Sequence, residues 1–375
     1  MPETRPRSSG RIPELEGLRA VLAWTVVVTH ILICSGWFGW KFGTQNLPSE
    51  IAAAAVDAFI MLSGFVITRL VLVERESYGR YLFRRACRIV PAYWVALALA
   101  IALNSQMGAN LRHLPPTLSS QFLASFSDIA AGRIWTDSIM HFLLVHGLAP
   151  SSILPAEPYT FLGVAWSLSL EWQFYCVAPL LLFFATRTRF GGVVIVVAAA
   201  TTALFSGRII AAFSAAFLPA KAIFFLVGAL TYIAVVEERR SRNAFAVLAG
   251  MCVTLSAFWW IGCGRSIEVV LASIVWMLVI CAVRFQSLKS LRAFLDSPPL
   301  QFLGRVSYST YLFHAPLITL VQAGIWRWIN PRDPALLLLL TALPSIFGTF
   351  VVSALSWRWI EKPFQRLGRD RFSWR

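Results

Sequence analysis

Residues 51–73 read IAAAAVDAFIMLSGFVITRLVLV and contain only two charged side chains, Asp57 and Arg69. A helix rises about 1.5 Å per residue, so a run of this length can cross a hydrocarbon core of roughly 30 Å. Similar apolar runs recur along the chain, at 18–37, 89–107, 161–186, 191–209, 213–236, 244–263, 267–284, 302–326 and 335–357. The pattern predicts an all-α, polytopic protein of the lipid bilayer with about ten transmembrane helices.

Composition supports this class and excludes others. The chain has 375 residues, of which 58% are hydrophobic and 14% charged, which is too apolar for an ordinary soluble domain. Its net charge of +15 does not indicate nucleic-acid binding, because the basic residues lie in short loops between apolar runs. The six cysteines show neither a Cys-x-x-Cys pair nor metal-ligand spacing, so we expect core residues and no metal site.

Orientation depends on the segment 108–160. Its one apolar run, 134–148, is weak and is interrupted by Asp137 and His141. If this run does not cross, about 25 of the 33 basic residues face the cytoplasm, as the positive-inside rule requires. We therefore predict that 108–160 is an external or re-entrant loop and that both termini are cytoplasmic. The predicted units are a tail at 1–17, a membrane domain at 18–363 and a basic tail at 364–375.

An arginine and a histidine share one face of the first span. Arg19 and His30 are eleven positions apart, which brings the helix round to within about 20° of its starting direction. They are separated by about 16 Å along the axis, with Arg19 at the cytoplasmic end. This spacing suits an anionic ligand whose reactive end reaches the imidazole. The alternative is that Arg19 is a topology anchor and His30 a packing residue.

A second candidate site is basic and lies at the start of the third span. Arg85 and Arg88 are neighbours at i, i+3 in the sequence FRRACRIVP at 83–91. Two guanidiniums so placed can hold phosphates bidentately, and coenzyme A carries several phosphates. The alternative is that Arg85 and Arg88 bind no ligand and only reflect the basic character of cytoplasmic loops in general.

Polar residues inside the fourth span form a stripe. Ser167, Glu171 and Tyr175 follow i, i+4, i+8, and lipid would not tolerate the carboxylate, so the stripe should face a cavity or a partner helix. Glu171 could orient an imidazole or an arginine; the alternative is a structural ion pair. In the second span Asp57 is a further buried acid, and Ser63 beside Gly64 permits close helix approach.

The ninth span carries the last polar face. Within GRVSYSTYLFHAP at 304–316, Ser307, Tyr311 and His314 recur at i, i+4, i+7, and Tyr308 lies beside them. The face ends in a histidine close to the helix-kinking Pro316. The alternative is a histidine that simply pairs with another span.

Together these motifs resemble acyltransferase family 3, whose members O-acylate lipopolysaccharide O-antigens, exopolysaccharides, nodulation factors and some macrolides. The resemblance covers nearly the whole chain and rests on six motifs in order: Arg19 with His30, Ser63-Gly64-Phe65, Arg85 with Arg88, Trp166 through Tyr175, Ser307 through His314, and Glu361-Lys362-Pro363. Glu16 and Ile60 depart mildly from the pattern. The SGNH-type domain of some members is not expected after Pro363.

The resemblance implies a multi-pass inner-membrane O-acyltransferase. Acyl-CoA, with acetyl-CoA as the usual donor, would pass its acyl group to a hydroxyl of a cell-surface polysaccharide or lipid-linked glycan. The implied catalytic residues are His30, Glu171 and His314, and the implied donor-binding residues are Arg19, Arg85 and Arg88. The implied supporting residues are Asp57, Ser63, Ser167, Tyr308 and Tyr311. Alternatives are acylation of a small molecule such as a macrolide, and a glycan transporter or flippase that uses Glu171 and Asp57.

Overall fold

The computed structural model describes residues 12–42, 46–74, 76–114, 118–233, 244–264, 267–284 and 288–370. The regular structure of these ranges is helical and contains no strand, which confirms the predicted all-α class. The first nine helices are α1 (Pro13–Cys34), α2 (Trp37–Phe42), α3 (Asn46–Glu74), α4 (Tyr78–Ala102), α5 (Asn104–Arg112), α6 (Leu118–Gly132), α7 (Ile134–Phe142), α8 (Trp166–Arg187) and α9 (Gly191–Leu204). The remaining helices are α10 (Ser206–Ala212), α11 (Leu218–Thr231), α12 (Ala244–Cys263), α13 (Ile267–Arg284), α14 (Lys289–Leu295), α15 (Pro298–Trp328), α16 (Pro334–Ser356) and α17 (Lys362–Asp370).

Within the described ranges, five helical stretches are long and apolar enough to cross a membrane, or six if α9 and α10, bent by 71°, form one span. The five are Pro13–Cys34, Leu47–Glu74, Tyr78–Ala102, Gly163–Arg187 and Pro334–Asp370. Every other predicted apolar run also contains helix, but α11 has only 14 residues and α15 includes many polar side chains. The membrane class is supported, and the count of ten spans stays a prediction.

Both predicted domain boundaries fall inside helices. Pro13 begins α1, with Glu14 and Glu16 in its first turn, because proline suits the first helical position and carboxylates favour the helix N-terminus. The helix therefore starts five residues before the predicted boundary at 18. The predicted C-terminal tail likewise overlaps α17, where Gly368 lies close to Cys87 of α4. Boundaries drawn from apolar runs miss the polar turns at the ends of a helix.

The segment 108–160 is largely helical, but its helices are short. The longest of them, α6, has 15 residues and the weak run at 134–148 forms the nine-residue α7. Nine residues rise about 14 Å, which is too short to cross the bilayer. This supports the prediction that the run does not span, while the external position of the segment stays a prediction.

A buried polar cluster anchors the end of this segment. The imidazoles of His141 and His146 stack with their centroids 4.0 Å apart, and burial lowers the pKa of His146 to about 4. Arg133 lies 3.2 Å from the Asp137 carboxylate and 3.8 Å from that of Glu157. The cluster therefore contains neutral histidines at neutral pH and a half-buried cation between two buried acids, which fixes the turn leading into α8.

Glycines allow α3 and α11 to touch backbone to backbone. A Cβ on Gly64 would overlap the carbonyl oxygen of Phe225, and a Cβ on Gly228 would overlap that of Met61. The close approach predicted from Ser63-Gly64 is thus present, with a reciprocal glycine on the partner helix. In lipid, helices associate through close van der Waals packing rather than the hydrophobic effect, and small residues allow that close approach.

We expect Gly228→Ala to lower the free energy of unfolding by about 1–3 kcal/mol, because the added methyl must push α3 and α11 apart. Thermal unfolding in detergent micelles would measure the loss. Gly324→Ala in α15 is the matched control, since no atom lies within 4 Å of the added Cβ. Equal stability of the two variants would contradict the close packing.

Candidate active site

Three adjoining cavities lie in a row through the helical core. The arginine vestibule, of about 340 Å³, contains Arg19, Arg85 and Arg88. The bridging cavity, of about 70 Å³, shares Arg19, Phe59, Glu171 and Tyr308 with the vestibule. The histidine chamber, of about 350 Å³, contains His30 and shares Val56 and Tyr311 with the bridging cavity. Residues from α1, α3, α4, α8 and α15 therefore meet along one line.

The arginine vestibule brings together the three predicted donor-binding residues. Arg19 lies 3.8 Å from Glu16 and interacts electrostatically with Arg88 and Glu171. The Arg85 guanidinium carbon is 6.0 Å from the centre of the Tyr175 ring. Among the residues described by the structure, no carboxylate lies within salt-bridge distance of Arg85 or Arg88. Both guanidiniums can therefore bind an anion without first breaking an ion pair.

Two histidines from distant helices meet at the other end of the row. The rings of His30 on α1 and His314 on α15 contact edge to face, with centroids 5.0 Å apart. The Nδ1 of His30 lies 2.8 Å from the Val26 carbonyl oxygen, and the Nδ1 of His314 lies 3.2 Å from that of Thr310. Because a carbonyl only accepts, each Nδ1 carries the proton and each neutral ring keeps its lone pair on Nε2.

The two Nε2 atoms have different surroundings. His30 is half-buried and lines the histidine chamber, so its Nε2 can receive a proton from a molecule there. His314 is fully buried, and its Nε2 has no hydrogen-bond partner among the described residues. His30 is therefore the better placed of the two to touch substrate, and His314 is placed to hold the His30 ring.

Tyr311 separates His30 from the arginines. Its hydroxyl donates to the Val164 carbonyl at 2.7 Å and lies 2.8 Å from the Ser167 hydroxyl, while its ring packs 6.2 Å from that of Phe59. Arg19 and His30 share a helix face as predicted, yet they line different cavities. The path between them is narrow and passes this tyrosine.

Glu171, Tyr308 and Ser63 lie toward the arginine end of the row. Glu171 lines the vestibule and the bridging cavity beside Arg19, whereas the described contacts of His30 are with His314 and Val26. Of the two roles predicted for Glu171, the structure therefore supports orienting an arginine rather than an imidazole. Tyr308, which donates to the Ile89 carbonyl at 2.6 Å, lines the same two cavities, and Ser63 lines the vestibule.

Asp57 lies apart from the row of cavities. Both of its carboxylate oxygens accept from the Lys221 ammonium, at 2.8 and 3.0 Å, and Glu268 lies 3.7 Å from the same nitrogen. The described lining of the three cavities does not include Asp57. Asp57 therefore forms a structural ion pair between α3 and α11. It supports the site indirectly, by holding these two helices together. Sequence reasoning missed Lys221 as its partner.

We expect Asp57→Asn to destabilise the protein by about 1–3 kcal/mol, because it leaves Lys221 buried with only the more distant Glu268 as counter-charge. The double variant Asp57→Leu with Lys221→Met should recover much of that stability and retain activity. Thermal unfolding and an activity assay would measure both. A stable double variant without activity would instead place Asp57 in the chemistry.

Glu361 is a site residue that sequence reasoning did not select. It is buried, accepts a 2.5 Å hydrogen bond from the Ser309 hydroxyl, and interacts electrostatically with Arg88 and Arg19. The closing Glu-Lys-Pro motif was the available signal. Its position after the last apolar run gave no indication that the chain returns to within electrostatic range of Arg88 and Arg19. Among the residues that the structure describes, no group of three histidine, cysteine or acidic side chains could hold a metal ion.

Residues 12–358 match the acyltransferase domain family. The chain is 22% identical to the peptidoglycan O-acetyltransferase OatA of Listeria monocytogenes and 23% identical to a putative O-acetyltransferase of Staphylococcus aureus. These alignments cover 98% and 99% of this chain but 58% and 60% of the relatives. A 28% identity to the acyltransferase MdmB of Streptomyces mycarofaciens covers 45% of this chain and 39% of that protein.

This chain thus spans less than two thirds of the length of the first two relatives. No solved structure matches it. The family match extends over α1 to α16 and includes the histidine pair, the vestibule arginines and Glu171. The chain belongs to the acyltransferase family.

Proposed function

We propose that this protein is a membrane O-acetyltransferase that takes the acyl group from cytosolic acetyl-CoA and transfers it to a hydroxyl of a cell-surface or lipid-linked glycan. The observation that carries the proposal is the row of cavities from the arginine vestibule to the unprotonated Nε2 of His30. The names of the relatives OatA and the staphylococcal protein support the same reaction class.

In this proposal the vestibule binds the donor. Arg85 and Arg88 hold the phosphates of coenzyme A through charge-assisted hydrogen bonds, and Arg19 extends the positive surface toward the bridging cavity. Glu171 and Glu361 orient Arg19 and Arg88 and prevent these cations from facing one another without counter-charge. The narrow bridging cavity suits the uncharged arm of the donor better than its phosphates.

The chemistry takes place at His30. Its Nε2 removes the proton from the acceptor hydroxyl, the oxygen attacks the thioester carbonyl, and the C–S bond breaks. The imidazolium then returns the proton to the leaving thiolate, which yields CoA and neutral His30. His314 holds the ring throughout by its edge-to-face contact.

A covalent route is a second possibility at the same atom. Nε2 would attack the thioester carbonyl, CoA would leave, and the acyl-imidazole would then acylate the acceptor. Incubation with radiolabelled acetyl-CoA in the absence of acceptor distinguishes the routes. Label retained on wild-type protein and absent from His30→Gln supports the covalent route.

Purified protein in lipid nanodiscs tests the proposed function. With acetyl-CoA and a glycan acceptor we expect release of one free thiol for each acetyl ester formed. A transporter or flippase would bind or move glycan without releasing CoA, so the absence of thiol release in a correctly folded preparation would contradict the proposal.

We also propose an inner-membrane location with about ten spans and both termini in the cytoplasm, from the distribution of basic residues. This orientation places the arginine vestibule on the side where acyl-CoA is made. Thiol labelling of single cysteines introduced at 187 and 153 in intact cells would test it. We expect a membrane-impermeant reagent to label position 153 and not 187.

A further inference from the structure

The histidine chamber differs sharply from the vestibule in charge. Arg19, Arg69, Arg85, Arg88, Glu16, Glu74 and Glu171 line the vestibule. Among the residues described by the structure, the chamber has no aspartate, glutamate, lysine or arginine in its wall. Its polar groups are amides, hydroxyls, the Cys34 thiol, the Trp166 indole and the imidazole of His30. An ionised ligand would find no opposite charge there.

Most of the chamber's polar groups already have partners. The Asn110 amide donates to the Thr319 carbonyl at 2.9 Å, and its oxygen accepts from Gln106 at 2.8 Å. The Gln322 amide donates to the Cys34 carbonyl at 2.8 Å. The wall therefore has little capacity to replace the water around a carboxylate or phosphate, and burial of an uncompensated charge is strongly unfavourable.

The remaining wall is aromatic. Phe126 and Tyr159 stack with centroids 5.6 Å apart, and Phe161 and Trp166 also line the chamber. Phe161 has a left-handed backbone, with φ of 51°, and contacts His141 of the buried cluster with centroids 5.9 Å apart. The aromatic wall is therefore held in place by the anchored segment beneath it. Flat apolar rings with few polar groups bind neutral ligands that have an apolar face.

We propose that the acceptor hydroxyl reaches His30 on an uncharged sugar unit whose apolar face packs on the aromatic wall, and that units carrying a carboxylate or phosphate are rejected. This inference rests on the proposed function and adds the substrate class. The volume of about 350 Å³ fits a small unit of a larger glycan rather than a long segment of it.

Matched acceptors test the charge rule. One pair is the amide and the free carboxylate of the methyl glycoside of glucuronic acid; the other is methyl 3-O-carbamoylmethyl-glucoside and methyl 3-O-carboxymethyl-glucoside. Each pair differs only in charge, and the two pairs leave different hydroxyls available. We expect kcat/KM for the neutral member to exceed that for the anion by about 10²-fold or more in each pair whose neutral member is acetylated.

The outcomes separate the two proposals. Acetylation of an anion as fast as its neutral partner would overturn the inference. The inference would also be overturned if CoA release that depends on His30 continued while neither neutral compound was acetylated. Loss of all CoA release would instead overturn the proposed function, and this inference with it.

A charge placed in the wall provides a second test. Met107 is half-buried and lines the chamber, so Met107→Lys would supply the missing counter-charge. We expect it to raise the ratio of anionic to neutral acceptor use about tenfold. Ile153→Lys is the control, because Ile153 is 70% exposed and outside the described chamber wall. An unchanged ratio in Met107→Lys would contradict the charge rule.

Discussion

His30→Ala should lower kcat for acetyl transfer by about 10²–10⁴-fold, because the reaction loses the group that accepts the hydroxyl proton. His30→Gln should be equally inactive, since an amide can fill the space and donate a hydrogen bond but cannot take up a proton. Membrane insertion and thermal stability should remain close to those of the wild type. Acetyl ester formation, measured together with thiol release, gives the result.

His113→Ala is the matched control for this prediction. The Nδ1 of His113 also lies close to the carbonyl oxygen four residues earlier, at 2.7 Å from Ala109, and its ring stacks on Trp326. It is exposed and lies outside the described lining of the chamber. Retained activity in His30→Ala, or an equal loss in His113→Ala, would remove His30 from the chemistry.

The double variant Arg85→Gln with Arg88→Gln should raise KM for acetyl-CoA by about 10²-fold or more, because each guanidinium gives charge-assisted hydrogen bonds worth about 1.5–3 kcal/mol. We expect kcat at saturating donor to change much less, since these residues lie two cavities away from His30. The variant should also lose its preference for CoA thioesters over those of shorter, phosphate-free thiols.

Arg187→Gln controls for the loss of a basic residue near a helix end. Arg187 ends α8 with its guanidinium 5.4 Å from the Phe183 ring centre, and it is not part of the described vestibule lining. Its substitution should change KM by less than about twofold. An equal rise in KM for this control would mean that Arg85 and Arg88 affect the orientation of the chain in the membrane rather than the binding of the donor.

Local periodicity was sufficient to place several site residues correctly. The eleven-residue spacing of Arg19 and His30 predicts one shared face of α1, and both residues do line the row of cavities. The i, i+4 spacing of Ser167 and Glu171 predicts a polar stripe that faces inward, and both residues line the bridging cavity. Such features depend on a single helix, so the sequence of that helix determines them.

Contacts between distant helices could not be read in the same way. His30 meets His314, Asp57 pairs with Lys221, and Glu361 returns to Arg88, each across a long stretch of chain. The start of α1 at Pro13 lies before the apolar run that begins at residue 18, because proline and acidic residues there extend the helix beyond its apolar part. These contacts depend on how the helices assemble, which hydropathy and spacing in one sequence do not specify.

The position of Tyr311 has a consequence for the cell. A passage open from the arginines to the histidine chamber would let protons and small ions cross, and would dissipate the gradient that the membrane maintains. The phenol, hydrogen-bonded to Val164 and Ser167 and packed on Phe59, lies in that route and narrows it. In the proposed orientation, the same side chain that narrows the path of a substrate would also restrict the passage of ions.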